Sequence, residues 1–230
     1  MCGRVCQFKA LSRFPKSASR SPKKGGPRRN VAPSMPLLSF TKGKTGVSAH
    51  WMSWGFSRPA TTELLANARS ETVAEKKIFK DALASGRCVV PIDGFYEWRR
   101  DDTGRWPWYF SPIGNNDNML WLAAISREPS NIANEETSAL PEICLLTTTA
   151  NAVMSPIHFR MPVLLDRGGI ESWLQEGALT DDVLHSLTTP SPGDWLQCHR
   201  VSPVINRVDA PDSPDLIKPW VPPVEQGELF

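Results

Sequence analysis

A cysteine follows the initiator methionine in this chain, and Cys2 is the residue with the most unusual chemical potential. Initiator Met is usually removed when the next residue is small, and Cys qualifies. The new terminus would carry an α-amine and a thiol on adjacent carbons. Their reference pKa values are about 8 and about 8.5, so both are partly reactive at neutral pH. A 1,2-aminothiol of this kind condenses with aldehydes: the amine forms a Schiff base, and the thiol then closes a five-membered thiazolidine. No internal cysteine can do this, because its nitrogen is an amide. Taken by itself, Cys2 is better explained as an accident of the start of the chain, so its chemistry must be weighed with what surrounds it.

The other cysteines are Cys6, Cys88, Cys144 and Cys198. The total is odd and no CxxC pair occurs, which argues against a disulfide framework and a four-cysteine zinc site. Reduced thiols in a cytosol are expected. No metal or organic cofactor is indicated. Charge is uneven: residues 1–62 hold twelve Lys or Arg and no Asp or Glu, whereas the rest of the 230 residues hold 14 basic and 24 acidic side chains. A basic segment of this kind reads as a polyanion contact, most often nucleic acid. The nine tryptophans offer stacking faces, although most are expected in the core. No apolar run is long enough to span a bilayer, and MCGRVCQFKA lacks the apolar core of a signal peptide. The expected location is cytoplasmic, beside the nucleoid in a bacterium, without membrane contact.

Six strings occur in order: MCGRV at the start, NVAPS at 30–34, NARSET at 67–72, RCVVPIDGFYEW at 87–98, TTTAN at 147–151 and IHFRMP at 157–162. Together they resemble the SRAP family, the SOS-response-associated peptidases, also described as abasic-site processing proteins. The resemblance runs over roughly residues 1–220. It implies a sensor of abasic sites in single-stranded DNA that captures the ring-opened sugar aldehyde as a DNA–protein crosslink, removes its own Met1 and can release the crosslink. By the same resemblance Cys2 is the nucleophile, and Asn67 holds the N-terminal residue and substrate. Glu97 is an acid/base carboxylate that takes the proton leaving the α-amine, and His158 is an acid/base group beside the sugar. Arg4, Arg69 and Arg160 match arginines near phosphates, where a guanidinium fork suits the geometry. Asn30 and Pro33 line the same side, and Thr147 matches a polar residue of the DNA channel. Phosphate contacts position a strand without reading it, so little sequence preference is expected.

Three departures from the family pattern stand out. Trp54-Gly55 is followed by a short FSRPATTELLA, where the family often has a longer segment with a second Trp that wedges against the base stack. Residues 9–29 are compact and unusually basic. Phe159 replaces a polar residue between His158 and Arg160, and either core packing or stacking on a base would account for it. The tail QGELF resembles short peptides that bind the bacterial sliding clamp, with Gln226 fixing register and Leu229 and Phe230 filling an apolar pocket; a plain disordered tail explains it equally well. Two other readings stay open for the whole chain. A thiol peptidase acting on proteins would pair Cys2 with His158, and a non-covalent single-stranded DNA-binding module would need neither. One-to-one capture requires only a monomer.

These residues need a scaffold. LLSF (37–40) and 47–56 read as strands, the latter with Val47, Ala49 and Trp51 alternating. Residues 73–86 read as a helix: Thr72 and Glu75 form a capping box, Ile78, Phe79, Ala82 and Leu83 share a face, and Gly86 ends it. Cys88–Trp98 reads as a buried strand entering a turn at Asp93-Gly94. Trp106–Phe110, Leu120–Ile125, Ile143–Thr148, Met161–Leu165 and Trp195–Val201 read as strands, and 168–176 and 180–187 as short helices. Residues 15–29 read as a mobile basic loop and 211–223 as an irregular tail. The expectation is an α+β single domain, residues 1–222, on a largely antiparallel, barrel-like sheet with flanking helices, followed by a flexible tail, 223–230.

Overall fold

Short apolar runs bounded by Gly, Pro and polar clusters become strands here, and the chain bends at those boundaries. The computed structural model describes residues 3–9, 18–19, 28–58, 61–114, 118–129 and 140–222. Their strands are β1 (Val5–Gln7), β2 (Ala18–Ser19), β3 (Arg28–Val31), β4 (Pro36–Gly43), β5 (Gly46–Trp54), β6 (Phe56–Ser57), β7 (Leu64–Leu65), β8 (Asn67–Arg69), β9 (Arg87–Ile92), β10 (Gly94–Asp101), β11 (Gly104–Pro112), β12 (Leu120–Arg127), β13 (Glu142–Thr149), β14 (Arg160–Pro162) and β15 (Leu196–Arg200). The helices are α1 (Lys77–Ser85), α2 (Arg167–Trp173) and α3 (Asp181–Thr188). The fold is α+β and mostly antiparallel, as the sequence leads one to expect.

One sheet has the order β15-β11-β10-β1-β3. A larger one runs β14-β13-β12-β9-β4-β5-β2, and β8 adds to β13 in parallel. Strand β5 also pairs in parallel with β13, through Ser53 with Glu142 and Trp54 with Ile143. Five strands (β13, β12, β9, β4 and β5) therefore close into a ring, which leaves no open edge among them.

The two sheets meet over one core cluster, in which Val5, Phe95 and Phe110 pack with Leu37, Val90, Leu122 and Leu145. The outer face of the ring is covered by Phe79, Ala82 and Leu83 of α1, Trp173 of α2 and Leu184 of α3. Each large apolar side chain buried this way contributes roughly 1.5–3 kcal/mol. Gln7, 2% exposed, ties β1 to the ring: its amide donates to the carbonyls of Leu38 and Pro91 and accepts from the Leu38 N–H.

Several expectations need correction. Cys88–Trp98 is two strands, not one, because the chain leaves the ring at Asp93 and enters the other sheet. The Asp93 carboxylate accepts the Phe8 and Lys9 N–H groups at 2.6 and 3.0 Å, which fixes this corner. Gly94 allows the close approach that follows, since a Cβ there would sit 2.4 Å from the Phe110 carbonyl and the Tyr109 hydroxyl. Helix α1 begins at Lys77, after a separate 3-10 turn at Ser70–Thr72. The capping box does not form: Val73 is fully buried in the core, and the Thr72 hydroxyl has no hydrogen bond. Arg28 and Arg29 belong to β3, and most of the rest of 15–29 lies outside the described residues. Residues 211–222 are anchored, with Leu216 buried and the Trp220 N–H bonded to the Arg200 carbonyl. Of the tryptophans, Trp51, Trp54, Trp98 and Trp173 are buried, whereas Trp106 and Trp220 stack on one another at the surface layer.

Candidate active site

Strand β10 delivers the first acid/base group. Its opening residues Gly94–Trp98 are all buried, and Glu97, paired with Trp108 of β11, is 2% exposed. Burial raises the pKa of Glu97 above the ordinary carboxylate range, and the charge of His158 opposes that rise. The Oε1 of Glu97 lies 4.0 Å from Nδ1 of His158.

A tight turn supplies His158. Asn151, at the end of TTTAN, accepts the Met154 N–H with its side-chain oxygen and donates to the Ser191 carbonyl. Met154 in turn accepts the N–H groups of Ile157 and His158 at 2.9 and 3.0 Å. Nδ1 of His158 is 3.0 Å from both the N–H and the carbonyl of Arg160. It accepts the N–H when the ring is neutral with its proton on Nε2, and donates to the carbonyl when Nδ1 is protonated. Phe159 is not a core residue: it is 68% exposed, and its ring stacks on His158 at 4.7 Å.

Glu97 and His158 share a cleft of about 250 Å³ with Gly3, Arg4, Trp98, Arg100 and Arg105. Cys2 is bonded to Gly3 but lies outside the described residues, as do Gln226, Leu229 and Phe230 of the tail. Arg4 is buried; its guanidinium donates to Asn30 Oδ1 at 2.6 Å and to the Ile205 and Arg207 carbonyls. Asn30 donates to the carbonyls of Arg207 and Val208. A second cleft of about 650 Å³ is lined by Asn67 and Arg69 together with Arg58, Lys76, Leu65, Ile78 and Phe79. Beside it, β6 and β7 form a two-stranded ribbon, with Gly55 at a φ of 121° opening the bend after Trp54. Arg160 links the two regions: its guanidinium grips Glu71 through both nitrogens and donates to the Thr147 carbonyl at 2.6 Å.

The structure thus brings Glu97, His158, Arg4 and the residue before them in the chain, Gly3, together, and gathers Asn67 with Arg69. Arg69 is exposed at the end of β8, and Pro33 is half-buried in the turn after β3. Three residues expected beside DNA have partners inside the protein. Thr147 is fully buried with its hydroxyl on the Ala68 carbonyl, and Asn30 is 4% exposed with its polar atoms bonded inside. Arg160 is 6% exposed and already holds a carboxylate, which a phosphate would have to displace. Sequence reasoning missed Glu71, Asn151, Arg100 and Arg105. Glu71 and Asn151 sit inside the NARSET and TTTAN strings, and the two arginines flank the hairpin turn Asp102-Thr103, so adjacency to a motif was the available signal.

A buried carboxylate beside an imidazole, in a polar cleft rimmed by arginines on an α+β domain, defines a protein suited to proton-transfer chemistry on an anionic substrate. The chain belongs to the SRAP family: the model for SOS response associated peptidase (SRAP) matches residues 1–208. It is 31% identical to abasic site processing protein YoqW of Bacillus subtilis, over 84% of this chain and 86% of that one. It is 32% identical to abasic site processing protein HMCES of Xenopus tropicalis, over 67% of this chain and 52% of the longer relative. A crystal structure of a protein from Bacteroides thetaiotaomicron shares the fold with a TM-score of 0.78 at 19% identity, covering 96% of this chain and all of that one.

Proposed function

We infer that this protein captures abasic sites in single-stranded DNA as a covalent thiazolidine, through Cys2 exposed by loss of Met1. The observation that carries this reading is the 4.0 Å pairing of Glu97 with His158 in the cleft lined by Gly3, the residue bonded to Cys2. The relatives named for abasic site processing support the substrate class.

The steps balance without a cofactor. His158 hands a proton to the ring oxygen of the abasic sugar as the C1′ hydroxyl loses one, which opens the ring to an aldehyde. Glu97, as carboxylate, takes a proton from the Cys2 ammonium; a carboxylate whose pKa is raised by burial is the stronger base for this. The free amine attacks C1′ as the carbonyl π bond breaks. The resulting hydroxyl leaves as water with a proton from the acid/base pair, giving the imine. The Cys2 sulfur then adds to C1′, its proton ends on nitrogen, and the five-membered ring closes. Reversal uses the same groups in the opposite direction. The arginines around the two clefts would hold the flanking phosphates through charge-assisted hydrogen bonds.

Intact-mass measurement tests the reading. The purified protein should lack Met1, and mixing with a single-stranded oligonucleotide bearing one abasic site should add the oligonucleotide mass less one water. Cys2→Ala should give no adduct. A properly processed Cys2 that forms no adduct would defeat the proposal and leave the peptidase and non-covalent readings.

A further inference from the structure

Strands β10 and β11 form a hairpin in which Arg100 lies directly opposite Arg105, and Trp98 opposite Pro107. Side chains on one strand alternate faces, so Trp98, Arg100 and Arg105 share a face. Opposed pairs have Cβ atoms about 5 Å apart, and like charges placed so are destabilising unless something neutralises them. Neither arginine has an ion pair among the described residues. Of the two acidic side chains at the hairpin turn, Asp101 sits opposite Gly104 on the other face and is engaged with Thr103 and Trp106, and Asp102 is exposed in the turn and pairs with neither arginine. The Arg105 guanidinium is instead held 4.4 Å over the Trp98 ring, and Arg4 approaches the same ring at 5.9 Å. The Arg105 charge presses on Arg4, whose pKa is lowered by burial first and by Arg105 second. Two cations, Arg4 and Arg105, thus converge on one indole, and Arg100 joins them in the wall of the cleft that holds Glu97, His158 and Gly3.

We propose that Arg100 and Arg105 form a phosphate cradle that holds the phosphodiester next to the abasic sugar between their opposed guanidinium groups. This rests on the proposed capture of abasic DNA at the same cleft. A bound phosphate removes the repulsion between the two arginines and meets planar donors from both strands of the hairpin. Trp98 keeps Arg105 extended over its face, so less side-chain freedom is lost when the anion arrives. Gly3, the residue bonded to Cys2, lines the same cleft, so a strand anchored here lies against Gly3. The cradle reads no base and serves any sequence.

The test measures binding of an undamaged single-stranded oligonucleotide by fluorescence anisotropy across a salt series, and adduct formation with the abasic version by intact mass. R100A/R105A should weaken binding about tenfold at low salt and reduce the slope of log affinity against log salt by about 0.7, one phosphate contact on a single strand. Adduct formation should slow at sub-saturating oligonucleotide and recover as concentration rises. R100K/R105K should keep the salt slope, and R167A, an exposed arginine on α2, should bind as wild type. A double alanine variant that melts like wild type and matches its salt slope and adduct rate would overturn the cradle while leaving the capture reaction standing. Equal loss in R167A would overturn it too, since the effect would then be net charge. If wild type binds but forms no adduct, the capture reading fails, and the salt slopes alone decide the cradle.

Discussion

Oε1 of Glu97 and Nδ1 of His158 lie 4.0 Å apart although they come from the first strand of the β10–β11 hairpin and from a turn leading into β14, which belongs to the other sheet. Glu97 is fixed by β-pairing on a buried strand, whereas His158 is fixed by the Asn151–Met154 turn. The distance is longer than a hydrogen bond, which leaves room for a proton-bearing substrate atom between them.

Glu97→Gln should lower the rate of adduct formation roughly 100- to 10,000-fold, the usual worth of a positioned base. In wild type the rate should rise with pH along a limb displaced above the ordinary carboxylate range, because burial raises the Glu97 pKa. Single-turnover kinetics across pH should show that limb in wild type and not in the variant. A variant that retains the limb would remove Glu97 from the base role.

The same substitution should not destabilise the fold at neutral pH. A carboxyl whose folded pKa is raised binds its proton more tightly when folded, so its contribution to stability falls as pH rises from the unfolded pKa to the folded one. Glu97 therefore costs stability above that window, and the glutamine does not. Thermal melts should decline from acid toward neutral pH more steeply in wild type than in the glutamine variant.

His158→Ala should slow adduct formation and release alike by about 100-fold, since one group serves both directions. Time courses of capture and of release after dilution with free abasic competitor check this. Loss confined to one direction would assign the other to a different residue.

Glu71→Ala removes the partner of a guanidinium that is 6% exposed. Breaking a fully buried pair costs about 3–5 kcal/mol. The Glu71 side chain is 46% exposed, so screening reduces the expected loss to about 1–2 kcal/mol. The hydrogen bond to Arg160 is the main cause lowering the Glu71 pKa, so this stabilisation is present above the ordinary carboxylate pKa and lost as pH falls through the folded value. Urea titrations should therefore show a larger difference between wild type and variant at pH 7 than at pH 3.

Gly94→Ala should destabilise by about 3 kcal/mol, because the added methyl meets the Phe110 carbonyl and the Tyr109 hydroxyl at 2.4 Å. A urea midpoint unchanged from wild type would show that β10 and β11 can separate at this corner without cost.

Local sequence determined what local chemistry governs. Apolar runs such as Leu120–Ile125 and Ile143–Thr148 marked strands because side-chain alternation and burial leave a direct trace. The caps of α2 and α3, Asp166 and Thr180, sit within two residues of where the expected helices start, because capping is a contact within one turn. Cys2, Glu97 and His158 were named through motif order, whose strings carry the site residues whatever the fold between them. Tertiary structure alone decided three matters. The chain breaks at Asp93 because a carboxylate there captures two N–H groups from β1's end, a contact across most of a sheet's worth of sequence. Thr147 and Asn30 turned inward because their neighbours in space offered carbonyls, which no spacing along the chain records. Arg100 faces Arg105 only because the hairpin turns at Asp102-Thr103 in one register; a slip of one residue would send one of them to the opposite face.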